Sequence, residues 1–259
     1  MKTHKTEMLR EERLQVILEK LSARHRVSSI ELSLELDVSD DTIRRDLNEL
    51  AGNGLLKKVH GGAIPAIPKA PAPLKLSERV LYAQGQKEVI SEKALKLFEN
   101  GQTVILDNGS TNMLIARKLP TKLSMTIFTN SVPIAQILCE HPNVEVVFLG
   151  GRMYKRAQVA VGVSVVESLA RLRADLCIVG VCSIHPDIGV TTPDWEESLV
   201  KQKMVNVSKR VVATAWQDKF DTADSCLVCP FDELDVLVTD STITPQQRGE
   251  YSGKGVEIW

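Results

Sequence analysis

The sequence predicts an α/β protein of two domains, an N-terminal winged helix-turn-helix and a C-terminal Rossmann-like domain. Three observations predict it: helical apolar spacing interrupted by a tight turn in the first sixty residues, a proline-rich stretch, and alternating strand and helix patterns after that stretch. A chain of 259 residues is long enough to bury two cores. We expect domains at residues 1–62 and 77–259, joined by a linker at 63–76.

The first domain begins with two predicted helices. Apolar residues recur at helical spacing in the first, at Leu14, Ile17, Leu18 and Leu21. Ser28 is followed three residues later by Glu31, a spacing that fits a capping box at the start of the second helix. The apolar candidates of the second helix are Ile30, Leu32, Leu34 and Leu36.

A third helix follows after the short turn Asp37-Val38-Ser39, the connection expected of a helix-turn-helix. Ser39 is a good N-cap, and Ile43, Leu47 and Leu50 form one buried stripe. Thr42, Arg44 and Arg45 lie off that stripe on the first exposed turns. In a recognition helix these turns enter the major groove, where Arg pairs with guanine or clamps phosphates. The alternative is an ordinary amphipathic helix with a solvated charged face.

Asn53-Gly54 ends the third helix, and a short basic hairpin arm follows it. Residues 1–62 contain equal numbers of basic and acidic side chains, so DNA binding must depend on a local patch. We expect the acidic residues Glu31, Glu35, Asp37, Asp40 and Asp41 on a face turned away from DNA. The predicted DNA-binding residues are Ser39, Thr42, Arg44, Arg45, Lys57, Lys58 and His60.

The composition excludes several classes of protein. The net charge is −1, no apolar run is long enough to span a bilayer, and the N-terminus is charged rather than a signal peptide, so we expect a cytoplasmic protein. Five cysteines with scattered spacing do not form a disulfide framework. Cys226-Leu-Val-Cys229 stands alone within an apolar stretch, and a zinc site needs four ligands. We therefore expect neither a metal nor a cofactor.

The stretch AIPAIPKAPAP, residues 63–73, contains four prolines and little helix or strand signal. It predicts an extended, semi-rigid spacer between the domains.

The second domain alternates strand and helix patterns. The predicted strands are Val104–Asp107, Met125–Thr129, Val144–Leu149, Leu176–Val181, Val211–Ala215 and Leu234–Thr239. The predicted helices are Lys87–Phe98, Asn112–Leu119, Val132–Glu140, Val165–Leu172 and Glu196–Val207. This alternation predicts a parallel sheet covered on both faces, with ligands beyond the carboxyl ends of the strands.

One strand end has the composition of a phosphate loop. Asp107 is followed by Asn108, Gly109, Ser110 and Thr111, and then by a helix. Glycine leaves amides exposed, the hydroxyls add donors, and the helix N-terminus favours an anion. The alternative is that Ser110 or Thr111 only caps the helix.

Other strand ends carry glycine or small polar residues, each of which can also be a simple tight turn. They are Thr129-Asn130, Gly150-Gly151, and Gly180 with Cys182 and Ser183. Arg79, Lys87 and Lys219 are candidate cations. The predicted ligand-binding residues are Asp107, Asn108, Gly109, Ser110, Thr111, Thr129, Asn130, Gly150, Gly151 and Lys219.

TIRRDL followed by GLL-x-x-x-HGGA resembles the DeoR (deoxyribose-operon repressor) family of bacterial transcription regulators. The resemblance continues through Asp-x-Gly-Ser-Thr at 107–111, Thr-Asn at 129–130, Gly-Gly at 150–151 and Gly-x-Thr at 189–191. It implies a C-terminal domain similar in fold to ribose-5-phosphate isomerase that senses phosphorylated sugars. The chain departs from the pattern at residues 216–220, where Trp-Gln-Asp-Lys-Phe replaces the usual Asp-Ser-Ser-Lys-Phe.

The resemblance and the motifs together predict a repressor of a sugar-utilisation operon. Its partners are operator DNA, a phosphorylated sugar and further copies of itself, as a homodimer or homotetramer, because helix-turn-helix proteins read paired half-sites. Asp107 is expected to accept a sugar hydroxyl. The alternative is a sugar-phosphate isomerase-like enzyme, which needs a carboxylate base; residues 182–191 hold only one acid, Asp187, and no Lys-Gly-Gly follows.

Overall fold

A computed structural model describes residues 9–24, 26–69 and 75–259. The chain divides into two compact units, Met1–Ile67 and Pro68–Trp259. Within the described ranges, no helix is both long enough and apolar enough to cross a membrane.

The first unit is a winged helix-turn-helix. Its helices are α1 (Arg10–Arg24), α2 (Ser29–Leu36) and α3 (Asp40–Gly52), and its strands are β1 (Val27–Ser28), β2 (Leu56–Val59) and β3 (Gly62–Pro65). The strands form an antiparallel sheet in the order β1-β3-β2. Ile17 and Leu21 of α1 pack with Ile43, Leu47 and Leu50 of α3 in one core, as the apolar spacing predicts.

Strand β3 corrects the predicted start of the linker. Residues 63–65 belong to the sheet, where Ala63 pairs with both Val27 and Lys58 and is fully buried. Pro65 closes the strand opposite Leu56, and proline is tolerated at a strand end because few ladder bonds are lost there. Residues 70–74 of the predicted linker lie outside the described residues.

The predicted capping box of α2 does not form. Ser28 belongs to β1 and its side chain makes no capping hydrogen bond, while the amide of Ser29 donates to the Gly61 carbonyl at 2.9 Å. The carbonyl of Gly61 therefore accepts a hydrogen bond from an amide at the start of α2 that would otherwise need a side-chain cap. On this helix Leu32 is buried, whereas Ile30 and Leu34 are exposed.

The second unit is an α/β domain built on a seven-stranded sheet. Its helices are α4 (Leu76–Leu81), α5 (Gln84–Ala94), α6 (Ser110–Lys118), α7 (Val132–Cys139), α8 (Val163–Ala170), α9 (Trp195–Asn206) and α10 (Pro245–Ser252). Its strands are β4 (Thr103–Leu106), β5 (Met125–Thr129), β6 (Val144–Phe148), β7 (Arg152–Tyr154), β8 (Val159–Val161), β9 (Leu176–Gly180), β10 (Ser183–His185), β11 (Gly189–Thr192), β12 (Val211–Thr214), β13 (Cys226–Cys229), β14 (Val236–Val238) and β15 (Glu257–Ile258).

The main sheet is parallel, in the order β15-β14-β12-β9-β4-β5-β6. Two apolar cores cover its two faces, so the predicted α/β fold class is confirmed. The six predicted strands are all in this sheet. The chain runs outward from β4 to β6 and then returns to the other side of β4 as β9, which makes the β4–β9 boundary a topological switch point.

Two small antiparallel elements were not predicted. Strands β10, β11 and β13 form a three-stranded sheet, and β7 and β8 form a hairpin. Each of these strands has only three or four residues, which is too short for a period-two pattern to stand out in the sequence.

Candidate functional site

Helix α3 presents a polar face that the N-cap and the apolar stripe define. The Ser39 hydroxyl accepts a hydrogen bond from the Thr42 amide at 3.1 Å. Because Ile43 and Leu47 are buried, the side chains of Arg44 and Arg45 point outward and are 65 % and 78 % exposed.

The two arginines are paired with acids one turn earlier, which corrects the predicted location of those acids. Arg44 Nε lies 2.8 Å from Asp40 Oδ2, and Arg45 Nη2 lies 2.6 Å from Asp41 Oδ2. The spacing of four residues puts each pair on one side of the helix. Asp40 and Asp41 are therefore beside the predicted contact surface. A DNA phosphate or base that binds Arg44 or Arg45 would have to displace these carboxylates from the arginines.

The hairpin β2–β3 forms the wing. Lys57 and Lys58 on β2 are exposed, and His60 is exposed in the turn between the strands. Lys58 Nζ donates to Asn48 Oδ1 at 2.5 Å, so it ties the wing to α3. Wing and helix together hold four cationic side chains, Arg44, Arg45, Lys57 and Lys58, on the exposed surface of this unit.

In the second unit a cavity of about 290 Å³ opens at the carboxyl ends of three adjacent strands, β4, β9 and β12. It lies at the switch point, the place where open α/β sheets bind ligands. Five predicted residues line it: Asn108, Gly109, Ser110, Thr111 and Lys219.

The wall formed by residues 108–111 is a helix N-terminus. Gly109 has φ +132°, a conformation that favours glycine, and its carbonyl accepts the first helical hydrogen bond of α6 from Met113 at 2.9 Å. The amides of Ser110, Thr111 and Asn112, in the first turn of α6, have no hydrogen-bond acceptor inside the helix. They are therefore available to an anion in the cavity.

A buried ion network supports this wall and corrects the role predicted for Asp107. Asp107 is fully buried, does not line the cavity, and forms an ion pair with Lys201 of α9. Its Oδ2 also accepts from the Gly180 amide at 2.8 Å, while Lys201 Nζ donates to the Gly180 carbonyl at 2.9 Å. Glu197 Oε1 accepts from Asn108 Nδ2 at 2.9 Å. The network thus fixes the two loops that meet at the cavity.

Lys201 is charged in this network. Burial alone would lower its pKa, but the carboxylates of Asp107 and Glu197 outweigh burial and raise the pKa above its ordinary value. Gly180 is needed at the crossing of the loops, because a Cβ there would lie 2.1 Å from the Asn108 carbonyl oxygen.

Four further predicted residues do not reach the cavity: Thr129, Asn130, Gly150 and Gly151. Asn130 Nδ2 donates to the Ala160 carbonyl at 2.8 Å, and a Cβ on Gly151 would lie 2.7 Å from the Val161 carbonyl oxygen. Their loops follow β5 and β6, on the other side of β4 from β9 and β12. Asn130 and Gly151 therefore pack against strand β8 of the β7–β8 hairpin.

A second wall of the cavity comes from α4 and the residues that follow β12, and the sequence identifies only Arg79 and Lys219 among them as candidate ligands. Trp216, which follows β12, lines the cavity with Arg79, Tyr82 and Asp218. Lys219 Nζ lies 5.2 Å from the centroid of the Trp216 ring system, and the Tyr82 hydroxyl donates to Asp218. The signals in the sequence for this wall were the candidate cations Arg79 and Lys219 and the departure from the family pattern at residues 216–220.

Lys87, a candidate cation, lies behind this wall and does not line the cavity. Its Nζ donates to the carbonyls of Arg79 and Tyr82, and so it fixes the turn between α4 and α5. Burial, with smaller effects from Arg79 and Lys219, lowers the pKa of Lys87 to about 8.

Within the described ranges, no group of three or more His, Cys, Asp or Glu side chains is arranged to hold a metal ion. Cys226 and Cys229 lie on β13 with free thiols, and burial raises the pKa of Cys229 to about 12.

Two family models match the chain. Residues 13–66 match the DeoR-like helix-turn-helix domain, and residues 83–241 match the DeoR C terminal sensor domain. The second match alone covers more than half of the chain.

Two proteins with similar sequences are transcription regulators. The HTH-type transcriptional regulator GlpR of Haloferax volcanii is 33 % identical, over 97 % of this chain and 98 % of its own length. The HTH-type transcriptional repressor GlcR of Bacillus subtilis is 32 % identical, over 90 % of this chain and 89 % of its own. A structure of ribose 5-phosphate isomerase A from Methanocaldococcus jannaschii aligns with 52 % of this chain and 53 % of its own, with a TM-score of 0.39 and 14 % identity.

Proposed function

The chain belongs to the DeoR family of transcription regulators, and on that premise we propose that it represses a sugar-utilisation operon under the control of a phosphorylated sugar. The observation that carries the proposal is the cavity of the second unit, which has a helix N-terminus on one wall and the cations Arg79 and Lys219 among its lining residues. Free helix amides and unpaired cations favour a phosphate group.

The first unit is the operator-binding part of the proposal. Arg44 and Arg45 are the base-reading candidates, and Lys57 and Lys58 of the wing are the phosphate-binding candidates, with Ser39, Thr42 and His60 beside them. We propose that the protein acts as a homodimer or homotetramer, since paired half-sites match a two-fold axis. A repressor works where its operator is, so we assign it to the cytoplasm.

We propose that the cavity senses its ligand and does not transform it. Similar proteins carry names of regulators. An isomerase needs a carboxylate base at the substrate carbon, but Asp218 accepts from Tyr82 and Asp224 accepts from Ser183. Incubation with pentose and hexose phosphates, followed by NMR, is expected to show no interconversion; turnover would favour the enzyme alternative.

Fluorescence anisotropy with the DNA upstream of the protein's own operon tests the proposal directly. One phosphorylated sugar of a panel is expected to change operator affinity at least tenfold, which requires about 1.4 kcal/mol of coupling. The unphosphorylated sugars are the matched controls. An operator affinity that no phosphorylated sugar alters would contradict control by this ligand class.

Replacing Arg44 or Arg45 with Ala is expected to weaken operator binding by about 1–3 kcal/mol, if each contacts a base. Lys57→Ala and Lys58→Ala should instead weaken binding to all sequences and flatten its salt dependence. Competition between operator and random DNA at several salt concentrations separates the two effects. Operator affinity equal to the parent's in Arg44→Ala/Arg45→Ala would rule out this recognition helix.

Replacing an acid beside the arginines is expected to strengthen DNA binding, the opposite of replacing the arginines themselves. Asp41→Asn frees Arg45 and removes a charge that repels phosphate, so affinity for any DNA should rise about two- to fivefold at low salt and converge with the parent at high salt. Glu35→Gln is the control, because Glu35 pairs with Lys20 and Arg24 of α1. Equal increases in both variants would mean that only net charge matters.

A further inference from the structure

Helix α4 brings an arginine to the cavity without giving its side chain an acceptor for every donor. Arg79 lines the cavity together with Ser110 and Thr111 at the start of α6, and α4 packs against α6. Arg79 Nε is buried and has no hydrogen-bond partner among the described residues. A buried donor without an acceptor costs free energy. An anion at the start of α6 that also accepts from Arg79 therefore stabilises α4 in this place.

Hydrogen bonds at its C-terminal end attach α4 to the rest of the second unit. Lys87 Nζ donates to the carbonyls of Arg79 and Tyr82, and the Tyr82 hydroxyl donates to Asp218. Ala83, in the turn after α4, has φ +53°, a left-handed conformation that a residue with a Cβ keeps only where its surroundings hold it. Because α4 has only six residues, its position depends strongly on these contacts.

The loop that accepts from Tyr82 is also tied to the start of the second unit. This loop, residues 216–224, forms much of one wall of the cavity. Within it, the Ala223 amide donates to the Pro68 carbonyl at 3.0 Å. Pro68 is the first residue of the second unit, and α4 is the first helix. The cavity wall therefore contacts the part of the second unit that is nearest in the chain to the first unit.

Repulsion between like charges opposes this arrangement until an anion is bound. Burial lowers the pKa of Lys87, and the charges of Arg79 and Lys219 lower it further. Burial and Arg79 likewise lower the pKa of Lys219, which the carboxylates of Asp218 and Asp224 offset only in part. A phosphate in the cavity offsets the repulsion among these cations. The ligand therefore favours the arrangement in which α4 is held at the cavity.

We propose that Arg79 binds the same phosphate as residues 108–111, and that α4 is the element through which this phosphate changes operator affinity. The proposal rests on the proposed function, which assigns that phosphate to the cavity. A ligand shifts an equilibrium only by the difference between its affinities for two arrangements. Arg79 supplies such a difference, because the phosphate contacts it only when α4 is in place, whereas the amides at the start of α6 are present in both arrangements.

Operator affinity at saturating ligand separates coupling from binding. The ligand is the phosphorylated sugar of the panel that changes the operator affinity of the parent most, and calorimetric titration gives its Kd for each variant. Arg79→Met should weaken ligand binding at least tenfold. At saturation it should also reduce the change in operator affinity from tenfold or more to threefold or less. Tyr82→Phe, which removes the hydroxyl that donates to Asp218, should reduce the saturated change as well.

Ser110→Ala is the matched control, because Ser110 also lines the cavity but belongs to α6. It should weaken ligand binding about threefold or more, since it removes a donor next to the phosphate. Once the site is saturated, the change in operator affinity should equal the parent's.

Hydrogen exchange of the full chain, followed by mass spectrometry, locates the response. In the parent, saturating ligand should slow amide exchange both at the start of α6 and in α4, whereas in Arg79→Met it should slow exchange only at the start of α6. Unchanged exchange in α4 of the parent, or a full saturated response in Arg79→Met, would overturn the role of α4 and leave the phosphate site standing. If no phosphorylated sugar alters operator affinity or exchange in the parent, the proposed function itself fails.

Discussion

Replacing Lys201 with Met is expected to lower the free energy of unfolding of the second unit by about 3–5 kcal/mol. The substitution leaves the fully buried Asp107 without the counter-ion Lys201 and removes the hydrogen bond from Lys201 Nζ to the Gly180 carbonyl. Urea unfolding followed by tryptophan fluorescence measures the loss. All three tryptophans, Trp195, Trp216 and Trp259, lie in the second unit, so the signal reports on that unit alone.

Two comparisons test the cause. Lys209→Met removes the exposed pair with Asp175 and should cost less than about 1 kcal/mol. Asp107→Asn/Lys201→Met removes the charges of both Asp107 and Lys201, leaves Glu197 as it is in Lys201→Met, and should be less destabilised than Lys201→Met alone. A loss below about 1 kcal/mol in Lys201→Met would mean that the network does not hold the loops at the cavity.

The same network explains which parts of the ligand site the sequence could predict. Glycine and hydroxyl residues at the end of a strand, followed by a helix, are a local signal, and residues 108–111 do line the cavity. The partner of Asp107 is not local, because Lys201 lies 94 positions further along the chain. From the sequence alone, a carboxylate next to this loop is therefore expected to bind a ligand, whereas in the structure it pairs with Lys201 and accepts from the Gly180 amide.

Strand order is the second property that the sequence did not contain. Each predicted strand exists, but local apolar patterns do not say that β9 lies beside β4. With that order known, the loops after β9 and β12 face residues 108–111, and the loops after β5 and β6 lie on the other side. The small polar residues at 129–130 and 150–151 follow strand ends of the same sheet, but they do not line this cavity.

In the first unit the local signals were sufficient for the helices. The N-cap at Ser39 and the stripe Ile43, Leu47 and Leu50 depend on spacing alone, and the structure has both. The acids at Asp40 and Asp41 could also have been placed, because four-residue spacing to an arginine is a local rule. The end of the wing could not, since Ala63 is defined by pairing with Val27, on the far side of α2 and α3 in the sequence.

Replacing Gly109 with Val is expected to abolish the response to the phosphorylated ligand and leave operator affinity within about twofold of the parent's. A valine cannot adopt φ +132° without strain, and its Cβ would lie 3.9 Å from the Gly180 Cα, inside the gap between the two loops. The amides at the start of α6 would turn away and the side chain would occupy the anion's space. Titration with inorganic phosphate and sugar phosphates should show at least a 100-fold loss of affinity, because the variant loses several hydrogen bonds to a charged group.

Gly162→Val distinguishes loss of the phosphate site from backbone strain. Gly162 also precedes a helix, α8, with φ +103°, but no atom lies within 4 Å of the position its Cβ would take, and it does not line the cavity. Both variants should be strained by about 1–3 kcal/mol, yet only Gly109→Val should lose the ligand. If Gly109→Val binds the ligand and responds as the parent does, the phosphate lies elsewhere in the cavity. If Gly162→Val loses the response to the same extent, backbone strain in the second unit is sufficient to uncouple ligand binding from operator binding.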